Sequence, residues 1–188
     1  MSGRSRTAGV WSPPVVVAVA LPALFAVALL VLAILGRAGG LGTQAEQVAQ
    51  TGPLAVAPVE APAAGDPRCV ELLSALPATL DGPLPERAIV PPEPGVRAWA
   101  AAPRPVVLRC GLPRPVELTP TSPLLQVNGV AWLTLDDGVP DPVIRTHVAV
   151  DRPVFIAVTV PVAAGSGPLQ QVSDVVREKL PARPVPVR

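Results

Sequence analysis

The stretch Leu124–Leu135, "LLQVNGVAWLTL", places Asn128-Gly129 between two apolar runs. A two-residue loop of that composition is the signature of a type I′ hairpin, because both central residues must take positive φ. Such a loop leaves no freedom of register. It sets Val127 opposite Val130 and Leu125 opposite Trp132, all on one face. The chain must therefore build an antiparallel sheet around this hairpin.

Further strands read from the same period of two. Arg97–Ala101 and Pro105–Cys110 are strands, the second with Val106, Leu108 and Cys110 on one face and Arg109 on the other. Val143–Val150 sets Ile144, Val148 and Val150 against Arg145 and His147, and Pro153–Val160 aligns Val154, Ile156, Val158 and Val160. Helices frame these strands. Asp66-Pro67 is an N-cap followed by proline at the first helical position. Cys69, Leu72, Leu73 and Leu76 then recur at helical spacing until Pro77. Near the end, Leu169, Val172, Val176 and Leu180 form a second stripe, stopped by Pro181. The fold class expected is α+β, a two-layer domain in which an N-terminal and a C-terminal helix cover one face of an antiparallel sheet.

Ahead of this domain, Val15–Leu35 carries no charge. As a helix it would be about 31 Å long, the thickness of a bilayer's hydrocarbon core. Trp11 precedes it as an interfacial anchor, and Arg4 and Arg6 outnumber Arg37 across it, which orients the N-terminus inward. The organisation expected is a cytoplasmic segment 1–14, a transmembrane helix 15–35 embedded in the lipid bilayer, a Pro/Ala/Gly-rich linker 36–65, an extracytoplasmic domain 66–181 and a tail 182–188. The localisation expected is a single-pass protein of a bacterial cell membrane.

Composition narrows the function. Net charge is +1, and the aromatic residues are three Trp and two Phe. No basic patch interleaved with aromatics is present, so nucleic acid is not an expected partner. The two cysteines, Cys69 and Cys110, and the single histidine, His147, are too few for a zinc or iron–sulfur centre. A redox pair favours C-x-x-C, not a separation of 41 residues. Two unlinked core cysteines and a structural disulfide both remain. The disulfide weighs more, because both residues face the core of a domain placed beyond the apolar run.

Catalysis finds little support. A Ser-His-Asp arrangement would need His147, which sits on a strand's polar face, and "AGSGP" around Ser166 lacks the G-x-S-x-G elbow. Asp136, Asp137 and Asp141 miss the EF-hand register and suit turns instead. Asp151-Arg152 reads as a tight turn. No cofactor is expected. The candidate binding surface is Trp99, Arg109, Trp132, Arg145 and His147. The tryptophans would stack on a sugar, and Arg109 and Arg145 would form a basic strip on the sheet face left open by the helices. The function expected is a non-catalytic module binding an envelope protein or cell-wall component, with a small-ligand or glycan-binding domain as the alternative.

Several segments in order resemble one family. They are the apolar N-terminal run, the first-helix cysteine followed by "LLSALP", then "VVLRCGLPRP", "VNGVAWL", "VDRPVFIAVTVP" and a closing helix ending in "KLP". The chain resembles the domain of unknown function three-five-one-five, a family of actinobacterial membrane proteins. The resemblance implies an envelope location and a paired Cys69 and Cys110. It implies no activity and no catalytic residue.

Overall fold

A computed structural model describes residues 25–31, 48–135 and 138–186. The chain divides into two compact units, Met1–Glu46 and Gln47–Arg188. In the first, residues 25–31 are helical and exposed. The rest of the run from Val15 to Leu35 lies outside the described residues. Among the described residues no helix is long and apolar enough to cross a membrane. The expectation of a single-pass membrane protein is corrected accordingly. An apolar stretch of spanning length is a statement about composition, not about the helix it forms.

The second unit is built on one eight-stranded sheet. Its strands are β1 (Thr79–Leu80), β2 (Leu84–Arg87), β3 (Val96–Trp99), β4 (Val106–Leu112), β5 (Leu124–Val127), β6 (Val130–Leu135), β7 (Ile144–Ala149) and β8 (Phe155–Pro161). They lie in the order β1-β2-β3-β4-β8-β7-β6-β5, and every neighbouring pair is antiparallel. The β5–β6 hairpin pairs Leu125 with Trp132 and Val127 with Val130, and Asn128 and Gly129 both take positive φ.

Helices α1 (Pro67–Ala75) and α2 (Gly167–Lys179) pack on one face of this sheet and on each other. The Asp66 carboxylate caps α1 by accepting from Arg68 N at 2.8 Å. Leu72 of α1 and Val172 and Val176 of α2 meet Trp99, Leu108, Trp132 and Val158 in the main core. Arg97 closes the other end of α1. Its Nη1 donates to the Leu73 and Leu76 carbonyls at 2.8 and 2.7 Å, which the last turn of a helix leaves unpaired. Glu86 takes the remaining edge of that guanidinium.

The fold expectation needs two further corrections. β1 and β2 were not expected, because strands of two and four residues interrupted by Pro85 show no measurable period. More importantly, the sheet face away from the helices is not bare. A second apolar cluster, including Leu118, Leu133, Val148 and Ala157, lies there under the loop after β4 and the C-terminal tail. Arg114 fastens both, donating to the Leu118 carbonyl at 2.6 Å and to the Pro186 carbonyl at 3.0 Å.

Part of the expected linker also belongs to the domain. Leu54 pairs with Ile89, bonding the Ala88 carbonyl through its N–H and the Val90 N–H through its carbonyl. Arg87 donates to the carbonyls of Gly52 and Pro53, Arg109 to that of Ala57, and Ala63 N to that of Gly111. Residues 51–65 therefore form a strap over β2–β4. Low hydrophobicity hid it, because backbone carbonyls rather than apolar side chains hold it down.

Candidate functional site

Cross-strand partners point to one face, so register locates each candidate residue. His147 pairs with Val158 and Thr134, and Arg145 with Val160. Val158 and Val160 belong to the core beneath the helices. Arg109 pairs with Ala157, which belongs to the opposite cluster. Arg145 and His147 thus lie on the helix side and Arg109 on the other. The expected basic strip is not brought together. Alternation along each strand is right, but a single strand does not reveal which of its faces the helices take.

The tryptophans are unavailable for stacking. Trp99 and Trp132 are fully buried. Trp99 Nε1 donates to the Pro77 carbonyl at 3.0 Å, and Trp132 Nε1 to Ser173 Oγ at 3.0 Å. Each indole N–H meets the partner that burial demands, and these residues serve the core. Arg109 is engaged with the strap through Ala57. Asp151 and Arg152 form an ion pair at 2.9 Å, and Arg152 Nη2 donates to the Gly129 carbonyl at 2.8 Å. That pair ties the β7–β8 turn to the β5–β6 hairpin.

Cys69 and Cys110 form a disulfide, with Cα atoms 5.6 Å apart, and both are fully buried. It joins α1 to β4 through the core. Such bonds persist in oxidising surroundings.

What remains is a cleft of about 250 Å³ where the ends of β7 and β8 meet the start of α2. Leu125, Val160 and Leu169 give it apolar walls, and Arg145, His147 and Ser166 give it polar ones. Ser166 occupies the N-cap position of α2 without capping it, so the first amides of that helix are not bonded by its side chain. His147 is 9% exposed. Its Nδ1 is 3.0 Å from Thr134 Oγ1, and Nε2 has no partner among the described residues. Burial, and next the positive charge of Arg145, hold the imidazole below its ordinary pKa of 6.5, so the ring is neutral at pH 7. Among the described residues no carboxylate lines the cleft, and no Ser-His-Asp relay is assembled here. Among those residues a guanidinium and an imidazole instead converge on a cleft whose lining holds no carboxylate, which suits an anionic group. Among the described residues no cluster of three His, Cys, Asp or Glu could hold a metal.

Residues 17–185 match the family described as "Protein of unknown function (DUF3515)". The chain belongs to that family. No curated protein and no solved structure matches it. Membership of DUF3515 brings no activity with it, and the function must be argued from the cleft.

Proposed function

We propose that this DUF3515 domain is a non-catalytic binding module that holds an acidic group of its partner in the cleft between β7 and the start of α2. One observation carries the reading. Arg145 and the Nε2 of His147, unpaired among the described residues, share a cleft that no described carboxylate lines and whose walls are otherwise apolar apart from Ser166. A ligand would place a carboxylate against Arg145 and an aliphatic portion against Leu125 and Leu169. Small pockets of this kind take their affinity from the apolar lining and their orientation from a few polar groups. The cleft opens at the sheet's end, which suits a terminus or side chain presented by a larger partner. An envelope protein or cell-wall component, the partner class to which the sequence points, offers such carboxylates.

His147 is the only histidine of the chain, so its ring resonances report the site without assignment ambiguity. Muropeptides bearing free carboxylates should shift those resonances saturably, and Arg145→Gln should abolish the shift. A His147 signal that stays fixed at millimolar muropeptide would refute the reading.

A further inference from the structure

A second cleft, of about 400 Å³, lies beside the strap and shares no residue with the first. Arg87, Arg104 and Gln50 line it, together with Leu54 and Pro105. Arg87 is 6% exposed. Its Nε donates to the Gly52 carbonyl at 2.7 Å and its Nη2 to the Pro53 carbonyl at 3.1 Å. These neutral acceptors explain how it fastens the strap. They do not neutralise its charge, and Nη1 has no partner among the described residues. A buried guanidinium ordinarily sits against a carboxylate, because an uncompensated buried charge is costly. Here the five ion pairs of the described residues all involve other cations. Among the described residues no acidic residue lines the cleft, and the second charged group there is another arginine.

We propose that Arg87 and Arg104 form a binding site for a phosphate group. Two arginines without a carboxylate leave two positive charges to be met. A phosphate monoester carries about −1.5 to −2 at neutral pH, whereas a carboxylate brings a single negative charge. Guanidinium groups also match the oxygen geometry of phosphate bidentately. Arg87 is the fixed floor of the site, already oriented by the two strap carbonyls. Arg104, exposed at the rim, closes over the ligand, and the Gln50 amide adds neutral donors. Because residues 50–54 supply both the wall and the anchor of Arg87, an occupied site tightens the strap.

The test titrates the full-length chain with inorganic phosphate, and separately with acetate, at constant ionic strength. Binding is followed by calorimetry and by the amide and arginine N–H resonances. Phosphate should bind saturably, moving the signals of Gln50, Arg87 and Arg104 and leaving those of His147 in place. Arg104→Gln makes a clean variant, because Arg104 has no hydrogen bond or ion pair among the described residues. It should weaken phosphate about tenfold or more while leaving the unfolding midpoint unchanged. Arg87→Lys keeps a charge but loses the fork, and should weaken phosphate as well. Absence of saturable binding, unchanged affinity in Arg104→Gln, or acetate binding as tightly as phosphate would each overturn the proposal. Signals moving at His147 alone would assign the anion to the first cleft and overturn it too.

Discussion

Ala63 N donates to the carbonyl of Gly111 at 3.0 Å, and a β-carbon on Gly111 would stand only 2.2 Å from the Ala63 carbonyl carbon. Gly111 has φ +88° and sits in β4 where the register with β8 shifts. The strap can lie on the sheet only because this residue has no side chain. Gly111→Ala must strain the backbone and push the strap away. The expected loss is about 3 kcal/mol, combining an unfavourable φ with overpacking. Urea unfolding measures it, and limited proteolysis should find new cleavage within residues 51–65. Gly65→Ala, with open space around it, should stay within about 0.5 kcal/mol of the parent. Equal stability of the two variants would show that the strap is not held at Gly111.

Immediately before that glycine, Cys110 carries the disulfide to Cys69 across 41 residues of sequence. Restricting a loop of that length in the unfolded chain contributes about 4 kcal/mol in the chain-entropy picture. Reduction, or the double substitution Cys69→Ala and Cys110→Ala, should lower the unfolding free energy by about that amount, plus a cavity contribution in the double variant. Urea titrations with and without reductant compare the two states. If the midpoints coincide once reduction is verified by thiol counting, the staple is energetically idle.

Inside the core, Ser173 is fully buried and stands between two partners. Its Oγ accepts from Trp132 Nε1 at 3.0 Å and donates to the Leu169 carbonyl at 2.7 Å. Ser173→Ala leaves the indole N–H buried without an acceptor, at a cost of about 1–3 kcal/mol. Thermal unfolding and a changed Trp emission spectrum should report it together. A variant as stable as the parent would mean that Trp132 finds another acceptor.

These relationships show what the sequence makes legible. The Asn128-Gly129 loop encodes β5 and β6 completely, because turn type and register are local properties. The stripe of Leu169, Val172 and Val176 marks the buried side of α2 for the same reason. Pairings between distant segments leave no such trace. That the strap belongs to the sheet depends on Arg87 and Arg109 meeting carbonyls of residues 52–57 and on the Gly111 carbonyl meeting Ala63 N–H, and backbone groups look alike in every sequence. For the candidate site, His147 and Arg145 were recognisable as strand residues on one face. Their separation from Arg109 follows from the register with β8, which pairs Arg109 with Ala157 on one face and His147 and Arg145 with Val158 and Val160 on the other. The second cleft left no local signal at all, because Arg87 directly follows Glu86 in the sequence and only the fold gives that carboxylate to Arg97.

His147 sets a pH dependence whose sign follows from its surroundings. In the folded chain, burial and then Arg145 lower its pKa below 6.5, the value expected when unfolded. Above 6.5 both states are neutral at this residue and it contributes no slope. As pH falls below 6.5, the unfolded chain takes up the proton first, so stability drops. The loss stops growing once pH passes the folded pKa, where both states are charged. Carboxylates titrate further down, so the comparison belongs between about pH 5 and 7. His147→Asn can still reach Thr134 and removes the titration. Its stability should change less over that window than the parent's, and the two curves should converge toward acid pH. The imidazole resonances of this single histidine give the folded pKa directly. A midpoint at or above 6.5 would mean that the ring is better solvated than the residue's 9% exposure indicates. An anion bound against Arg145 should raise that midpoint, because it offsets the positive charge beside the ring. The same titration with and without muropeptide therefore ties the stability argument to the binding proposed for the cleft.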